Sequence, residues 1–334
     1  MKNKIIISIL SLLFIGYSSA QDIHFSNIDF SPLTVSPAMA GSVEKAQGIA
    51  QYRTQWNSIG APFQTIAASG EMRIKDNSPN SNGFFAVGLN FFNDQIGEPK
   101  IMTNSGAVSA AYHIKVDEKN YVGLGMNAGF SQRSIEEGTG EWGSQYDGTQ
   151  YNPDLPSGET FSNASFSLFT TGAGLVYSYN ANESSKIRLN ESFSFRSGVG
   201  AYHLNRPNYS FFGNTDERLL MRFSGFAQAS FVFGGTMMGF DPAVYYQQQG
   251  PSRELFLGGD YKFFFQEASK FTGFIKRSSL AAGLFYRVGD AFVTRLLLQM
   301  SNYTIGFSYD FNASRLTEVT RSRGGAEIVF RWNL

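Results

Sequence analysis

Strict alternation of apolar and polar residues is the feature that most limits what this chain can fold into. In "YTIGFSYDFN" (303–312), apolar and aromatic side chains occupy every second position, and small or polar side chains lie between them. The same period of two runs through "YVGLGMNAGF" (121–130) and "GGAEIVFRWNL" (324–334). Because successive side chains of a strand point to opposite faces of a sheet, the pattern predicts an all-β fold.

Segments with this period follow one another along the chain. Most reach or exceed the roughly 9–11 residues with which a tilted strand crosses an outer membrane. We therefore predict a transmembrane outer-membrane antiparallel β-barrel of about 14 strands over residues 45–334. A soluble β-sandwich or propeller is the alternative. A propeller is disfavoured because the sequence shows no repeat of fixed period. The candidate strands are 46–57, 62–75, 83–94, 101–115, 121–134, 161–179, 187–203, 217–233, 237–249, 253–265, 274–288, 291–300, 302–311 and 325–334.

The lengths of the connections favour the barrel. If the chain starts on the periplasmic side, the turns on that side are short, and the long connections at 135–160, 204–216 and 312–324 are all external. Short periplasmic turns and longer external loops are typical of outer-membrane barrels. Aromatic residues at strand ends, such as Tyr121, Tyr303 and Trp332, fit girdles at the membrane surfaces. The expected periplasmic turns are "DNSPNSN", "VDEKN", "NANESSK", "FGGT", a stretch around "EASKFT", and "MSN".

Residues 1–20, "MKNKIIISILSLLFIGYSSA", have the features of a signal peptide. Lys2 and Lys4 precede an apolar stretch, Ile5–Ile15, that is too short to cross a bilayer, and small residues precede Gln21. We expect cleavage before Gln21, export, and a location in the outer membrane of a Gram-negative cell. An uncleaved N-terminal anchor is the alternative.

The segment 21–44 is irregular and does not resemble a strand, a helix or a free tail. It opens with "QDIHFSNIDFSPLTVSPAMAG" (21–41), in which two prolines disfavour a central strand and several apolar residues disfavour a solvated tail. We expect it to fold against the periplasmic mouth or into the lumen as a partial plug. A periplasmic strip that docks other components is the alternative. The candidate plug residues are Phe25, Phe30, Pro32, Leu33 and Pro37.

The residues that carry chemistry in other proteins do not cluster in this sequence. The chain has no cysteine, and His24, His113 and His203 lack metal-ligand spacing. We expect His113 to be a hydrogen-bonded structural residue on the inward face. No nucleophile motif is present, so we expect neither an enzyme nor a cofactor. A formal net charge of zero argues against nucleic-acid binding.

The segment 135–160 is acidic and falls in an expected external loop. Its part "YDGTQYNPDLPSGE" contains Asp147, Asn152 and Asp154, whose oxygens are of the type that Ca²⁺ prefers. The spacing is not that of a known calcium loop. An ordinary solvated loop is therefore favoured, and a calcium site stays open.

Six stretches occur in a fixed order along the chain: "QDIHFSNIDFSPLTVSPAMAG" (21–41), "YRTQW" (52–56), "NPDLPSGE" (152–159), "GAYHLNRPNYSFF" (200–212), "YDFNASRL" (309–316) and "GGAEI" (324–328). In combination they resemble the PorP/SprF family of outer-membrane proteins associated with the type IX secretion system. The resemblance implies a non-enzymatic role with the type IX export and gliding machinery. It also implies a secreted adhesin or other surface protein as a partner that the barrel helps to export or to anchor.

Two expected external loops could bind such a partner. "NRPNYSFFGN" (205–214) and "NASRLTEVTRSRGG" (312–325) contain arginine and aromatic residues, which are enriched at interface hot spots. The alternative is that both loops pack over their own barrel mouth. The candidate residues are Asn205, Arg206, Pro207, Tyr209, Phe211, Phe212, Asn312, Arg315, Leu316, Arg321 and Arg323.

Other functions fit the same sequence. An outer-membrane channel or hydrophobic-substrate transporter of similar strand number is the main alternative, and a soluble β-rich adhesin belongs to a third class. A channel predicts an open lumen and solute conductance. The partner hypothesis predicts instead that loss of the protein removes one particular protein from the cell surface and leaves small-solute uptake unchanged.

Overall fold

The computed structural model describes residues 22–57, 62–74, 82–97, 100–136, 140–158, 163–180, 192–214, 216–266, 278–314 and 317–334. Several features predicted from the sequence lie outside these residues. They are the signal peptide at 1–20, most or all of the turns "DNSPNSN", "NANESSK" and "EASKFT", and the candidate residues Arg315 and Leu316.

Within the described residues, fourteen antiparallel strands close into one barrel. Each strand pairs with its neighbours along the chain, and β1 pairs with β14 from Gln47–Asn333 to Gln55–Gly325. The predicted transmembrane antiparallel barrel of about 14 strands is confirmed. The strands are β1 (Ala46–Gln55), β2 (Phe63–Ile74), β3 (Gly83–Ile96), β4 (Ile101–Lys115), β5 (Asn120–Ser134), β6 (Ser165–Asn180), β7 (Ser192–Tyr202), β8 (Arg222–Val232), β9 (Met238–Gln249), β10 (Ser252–Gln266), β11 (Ser278–Arg287), β12 (Ala291–Met300), β13 (Tyr303–Asn312) and β14 (Arg323–Asn333).

Helical structure in the described part of the chain is limited to single turns. α-Helical turns span Pro32–Val35 and Thr317–Thr320, and 3₁₀ turns span Ile28–Phe30, Pro37–Met39 and Gly143–Gln145. None of the helices in the described ranges is long and apolar enough to cross a membrane.

Side chains of the strands alternate between the exterior and the lumen, as the sequence predicts. On β13, Ile305 and Phe307 are exposed on the exterior, whereas Ser308 and Asp310 are buried in the lumen. On β14, Phe330 faces outward and Glu327 is buried. A bilayer cannot hydrate unpaired backbone groups, so only closure of the sheet allows these strands to span it.

The aromatic residues predicted to form girdles are not all on the exterior. Tyr303 and Trp332 lie on the outer surface at the ends of β13 and β14. The prediction for Tyr121 is wrong, because its ring contacts the ring of Phe84 at 5.9 Å, and Phe84 stacks on buried His113 at 4.6 Å. Tyr121 is therefore a lumen residue, since Phe84 and His113 both face inward.

The strand predicted at 217–233 begins later than expected, at Arg222. The preceding residues bond within their own loop. The Leu219 N–H donates to the Pro207 carbonyl at 2.9 Å, and the Tyr209 N–H donates to the Glu217 carbonyl at 2.8 Å. These backbone groups are therefore not available to a neighbouring strand.

The loop predicted at 312–324 is shorter than expected at both ends. Asn312 is the last residue of β13, and Arg323 is the first residue of β14. The pairing continues past a register shift that lies between Tyr309 and Phe311, so that Phe311 stands opposite Arg323. Both candidate residues at these limits thus belong to strands.

The two ends of the barrel differ in the length of their connections. Short turns join β4 to β5, β8 to β9 and β12 to β13. In the last of these, only Ser301 and Asn302 separate the two strands. Long connections join β5 to β6, β7 to β8 and β13 to β14. We call the end with the long connections the loop end and the opposite end the turn end. β1 begins and β14 ends at the turn end.

A charge on the outer face should destabilise the barrel according to its depth. Leu296 lies in the middle of β12 with 57% of its surface exposed, so Leu296→Arg is expected to cost about 2–4 kcal/mol. Phe330→Arg should cost less because it lies two residues from Trp332, near the turn end. Urea unfolding in lipid vesicles measures both. Asn333→Ala, on the lumen face, should change stability little, and a cost equal to that of Leu296→Arg would contradict this facing.

Candidate functional site

Residues 22–44 run through the lumen of the barrel, and we call them the lumen segment. At the loop end, the Asp22 carboxylate lies 2.7 Å from His203 Nε2. At the turn end, Asn333 Nδ2 donates to Glu44 Oε1 at 3.3 Å. The lumen segment therefore extends from one end of the barrel to the other before β1 begins.

The apolar side chains of the lumen segment fill the centre of the barrel. Phe30 is fully buried among residues of the barrel wall that include Leu297 and Val329. Leu33 is 2% exposed and belongs to a second apolar cluster with Ala86 of β3. All five candidate plug residues of the sequence are buried: Phe25, Phe30, Pro32, Leu33 and Pro37.

Inward-facing glycines allow the backbone of the lumen segment to touch the barrel wall. A Cβ atom at Gly125 would lie 2.4 Å from the Ala38 nitrogen, and one at Gly200 would lie 2.3 Å from the Val35 carbonyl oxygen. Both distances are well below van der Waals contact. A larger residue at either position must therefore push the lumen segment away from the wall.

A buried cluster of charges, which we call the Ser26 cluster, ties the lumen segment to the barrel. Arg53 Nη2 lies 2.8 Å from Asp310 Oδ2, and Arg53 Nη1 lies 3.2 Å from Glu327 Oε2. The Ser26 hydroxyl donates to Asp310 at 2.6 Å, and the Ser26 N–H donates to Glu327 at 2.8 Å. Arg287 contributes a second cation, 3.1 Å from Asp310. The cluster thus joins the lumen segment to β1, β11, β13 and β14.

A second ion pair holds the middle of the lumen segment. Arg295 of β12 bonds to Asp260 of β10 through Nε at 2.9 Å, and its Nη1 bonds to Asp29 of the lumen segment. The same guanidinium lies 4.5 Å from the centre of the Phe285 ring. Arg295 therefore anchors Asp29 to the barrel wall through several contacts at once.

His113 has the structural role that the sequence predicts. It is 1% exposed, and its Nε2 lies 2.8 Å from the carbonyl oxygen of Ala40 in the lumen segment. A neutral imidazole donates one hydrogen bond in this arrangement. The expectation of a hydrogen-bonded, inward-facing histidine is confirmed.

The inner part of the 203–221 loop packs over the barrel mouth. The Phe166 ring lies 5.5 Å from the ring of Tyr209 and 4.9 Å from that of Phe211, and the Arg133 guanidinium lies 4.7 Å from the Tyr209 ring. Tyr209 and Phe211 therefore face their own barrel. Pro207 stabilises this loop through its carbonyl, which accepts the hydrogen bond from the Leu219 N–H.

The outer part of the same loop faces solvent. Asn205 is tied to β6, because its Nδ2 donates to the Phe169 carbonyl at 2.7 Å. Arg206 is exposed next to it, and Phe212 has 52% of its surface exposed. The structure thus divides this group of candidate residues into an anchored inner set and an exposed outer set.

The second candidate loop is divided in the same way. Asn312 is buried and donates from Nδ2 to the Thr320 hydroxyl and to the Arg323 carbonyl, each at 3.1 Å. Arg321 and Arg323 have exposed side chains at the loop end. Asn312 therefore shapes the loop, and the two arginines are available at its surface.

Two of the three side chains considered for calcium, Asp147 and Asn152, accept backbone hydrogen bonds within their own loop. Asp147 Oδ1 accepts the backbone N–H groups of Thr149 and Gln150 at 2.8 and 2.9 Å, and Asn152 Oδ1 accepts the Asp154 N–H at 3.0 Å. The backbone donor of Gln150, followed by the side-chain and backbone donors of Thr149, holds the pKa of Asp147 below its usual value. No group of three or more metal-binding side chains occurs in the described ranges.

The lumen segment leaves two cavities inside the barrel. A cavity of about 280 Å³ toward the turn end is lined by residues that include Arg196, Arg331 and Lys262. A cavity of about 500 Å³ toward the loop end is lined by residues that include Arg133 and Tyr209. The lumen segment lines both cavities, so it lies between them.

The residues of the Ser26 cluster were not singled out as site residues from the sequence. The sequence does contain a feature that points to them. Arg53, Asp310 and Glu327 are charged residues at inward positions of alternating strands. A charge at such a position needs a partner inside the barrel, because burial without one is costly. The sequence indicates that partners exist, but it does not indicate which residues they are.

The closed sheet, the apolar exterior and the filled, charged lumen define an outer-membrane β-barrel with an internal segment. The chain belongs to the family described as type IX secretion system membrane protein PorP/SprF, whose family model matches residues 17–332. Its closed barrel with an apolar exterior and its family support an outer-membrane location and a place among secretion-system barrels, which are not a known enzyme family. Membership of this family also indicates partners within the type IX secretion system, without identifying any of them.

Solved structures of low sequence identity match most of the length of this chain. A FadL homologue of Pseudomonas aeruginosa is 10% identical, with 89% of this chain and 92% of that chain covered and a TM-score of 0.44. The toluene transporter TodX of P. putida is 9% identical, with 90% and 92% covered and a TM-score of 0.43. The translocator domain of autotransporter NalP from Neisseria meningitidis is 10% identical, with 92% and 95% covered and a TM-score of 0.33. No curated protein matches the sequence.

Proposed function

We propose that this barrel is a non-enzymatic component of type IX secretion that binds one secreted adhesin or other surface protein at its loop end and helps to export or anchor it. The loop end faces the cell exterior, as the longer loops of outer-membrane barrels do. The lumen segment acts as a plug, so the partner binds at the mouth. Secretion and motility components bind at the turn end, on the periplasmic side.

The observation that carries this proposal is the division of the 203–221 loop. Tyr209 and Phe211 hold its inner part against Phe166 and Arg133, while Arg206 and Phe212 stay exposed. A surface that is fixed before binding loses less conformational entropy when a partner docks. Arginine and aromatic residues on such a surface are typical interface hot spots.

Deletion of this protein provides the direct test. We expect one protein to disappear from the cell surface in a proteomic comparison of the deletion strain and its parent, with small-solute uptake unchanged. An unaltered surface proteome contradicts the proposal. Reduced uptake of small or hydrophobic solutes with an intact surface proteome supports a channel or transporter instead.

A point substitution locates the binding surface. Phe212→Ala is expected to weaken partner binding by about 2 kcal/mol, or roughly 30-fold, if this ring is a hot spot. The measurement is recovery of the partner in a pull-down from detergent-solubilised membranes. Phe233→Ala is the matched control, because Phe233 is a similarly exposed phenylalanine, 45% against 52%, at the turn end. Equal loss with both variants places the binding surface elsewhere.

A further inference from the structure

We propose that the turn-end cavity is a binding site for a small oxyanion, of the size of phosphate or a carboxylate group, held between Arg196 and Arg331. The two arginines lie on β7 and β14, which are on opposite sides of the fourteen-strand barrel. Both line the same cavity of about 280 Å³. Their guanidinium groups thus enter one space from opposite walls.

Neither arginine has a carboxylate at ion-pair distance in the described part of the chain. Arg331 lies 4.5 Å from the centre of the Phe30 ring, and its buried Nε has no acceptor. Arg331 and Arg196 carry the same charge and line the same cavity. Two like charges, one of them with an unused buried donor, therefore share one cavity.

The acidic groups of the same cavity already have other partners. Asp29 and Asp260 both bond to Arg295, and Asp241 pairs with Lys262. Glu44 accepts a hydrogen bond from Asn333 at 3.3 Å. The lining as a whole is balanced in charge, with four cations and four carboxylates, so the attraction for an anion is local to the two free guanidinium groups.

The chemistry of the site selects an oxyanion. A guanidinium presents a planar fork of donors that matches two oxygens of a carboxylate or phosphate. The buried Thr304 hydroxyl, which has no hydrogen-bond partner, lines the cavity as a further donor. At ~30 Å³ per water molecule, the cavity has room for about nine waters or for a compact anion with a few waters. An anion between the arginines also removes their mutual repulsion.

Calorimetric titration of the purified full-length barrel in detergent tests the site. Sodium phosphate and sodium acetate are titrated against sodium chloride at matched ionic strength. We expect saturable binding of phosphate, acetate or both. Binding of phosphate alone identifies a phosphate-type ligand, and binding of acetate identifies a carboxylate such as a peptide side chain or C-terminus. Absence of saturable binding by either oxyanion overturns the proposal and leaves a cavity filled by water.

Two substitutions assign the binding to the arginines. Arg196→Gln and Arg331→Gln should each weaken binding at least about tenfold, since each removes charged hydrogen bonds. Arg253→Gln, at an exposed arginine of β10, is the control and should bind as the parent does. Heat-modifiable gel mobility verifies that each variant is folded.

Thermal unfolding tests the site in variants whose oxyanion binding is too weak for calorimetric titration. In chloride buffer without oxyanion, loss of a charge that has no carboxylate partner should leave the apparent Tm of Arg196→Gln equal to or above that of the parent. Added phosphate or acetate should raise the Tm of the parent only. An equal rise in both proteins contradicts the site. These results are independent of whether the loop end binds a secreted partner.

Discussion

Arg53→Ala is expected to destabilise the folded barrel by about 3–5 kcal/mol, because it leaves Asp310 and Glu327 buried without their closest cation. The Arg53 guanidinium is 2% exposed and bonds to both carboxylates. Arg287 stays close to Asp310 but not to Glu327. Urea unfolding of the barrel in lipid vesicles, followed by tryptophan fluorescence, measures the change.

Arg253→Ala controls for the loss of an arginine as such, since its side chain is exposed at the loop end. It should change the free energy of unfolding by less than about 0.5 kcal/mol. If Arg53→Ala is as stable as this control, the Ser26 cluster does not hold the lumen segment in place.

Gly125→Val is expected to push the lumen segment off the barrel wall. The added side chain would overlap the backbone at Ala38, which is fully buried. Overpacking of this kind costs about 1–3 kcal/mol. The backbone amides of residues 36–42 should therefore exchange hydrogen roughly 10–100 times faster, as measured by mass spectrometry.

Gly48→Val is the matched control, because a Cβ atom at Gly48 meets nothing within 4 Å. It adds the same side chain to a strand without touching the lumen segment. Unchanged exchange at 36–42 in Gly125→Val would mean that the segment does not rest on this glycine. Equal acceleration in both variants would point to a general loosening of the barrel.

The sequence predicts the wall of this barrel well because one physical rule governs it. Lipid on one side and a polar lumen on the other impose a period of two on every strand, and this period is readable without knowledge of the partners. The facing of Phe330 and Glu327 follows from it directly. The rule fails at Tyr121, where an aromatic residue at a strand end points inward and packs on Phe84.

The contents of the lumen are harder to predict from sequence. Ser26 and Glu327 are 301 positions apart, and nothing in the local pattern of either residue names the other. Residues 22–44 have no period, so their burial can be expected from their apolar composition but their path cannot. The strand boundary at Arg222 depends on backbone bonds within the preceding loop, and the boundary at Arg323 depends on a register shift in the strand pairing. The alternation of apolar and polar residues reports neither.

The contacts of the lumen segment have a consequence for the order in which this protein is assembled. Ser26 bonds to residues of both β1 and β14, the two strands whose pairing closes the sheet. The segment also reaches from one mouth of the barrel to the other, and it is wider than an extended chain where Phe30 and Leu33 pack. We therefore expect insertion of the segment to accompany the closure of the cylinder by its first and last strands rather than to follow it.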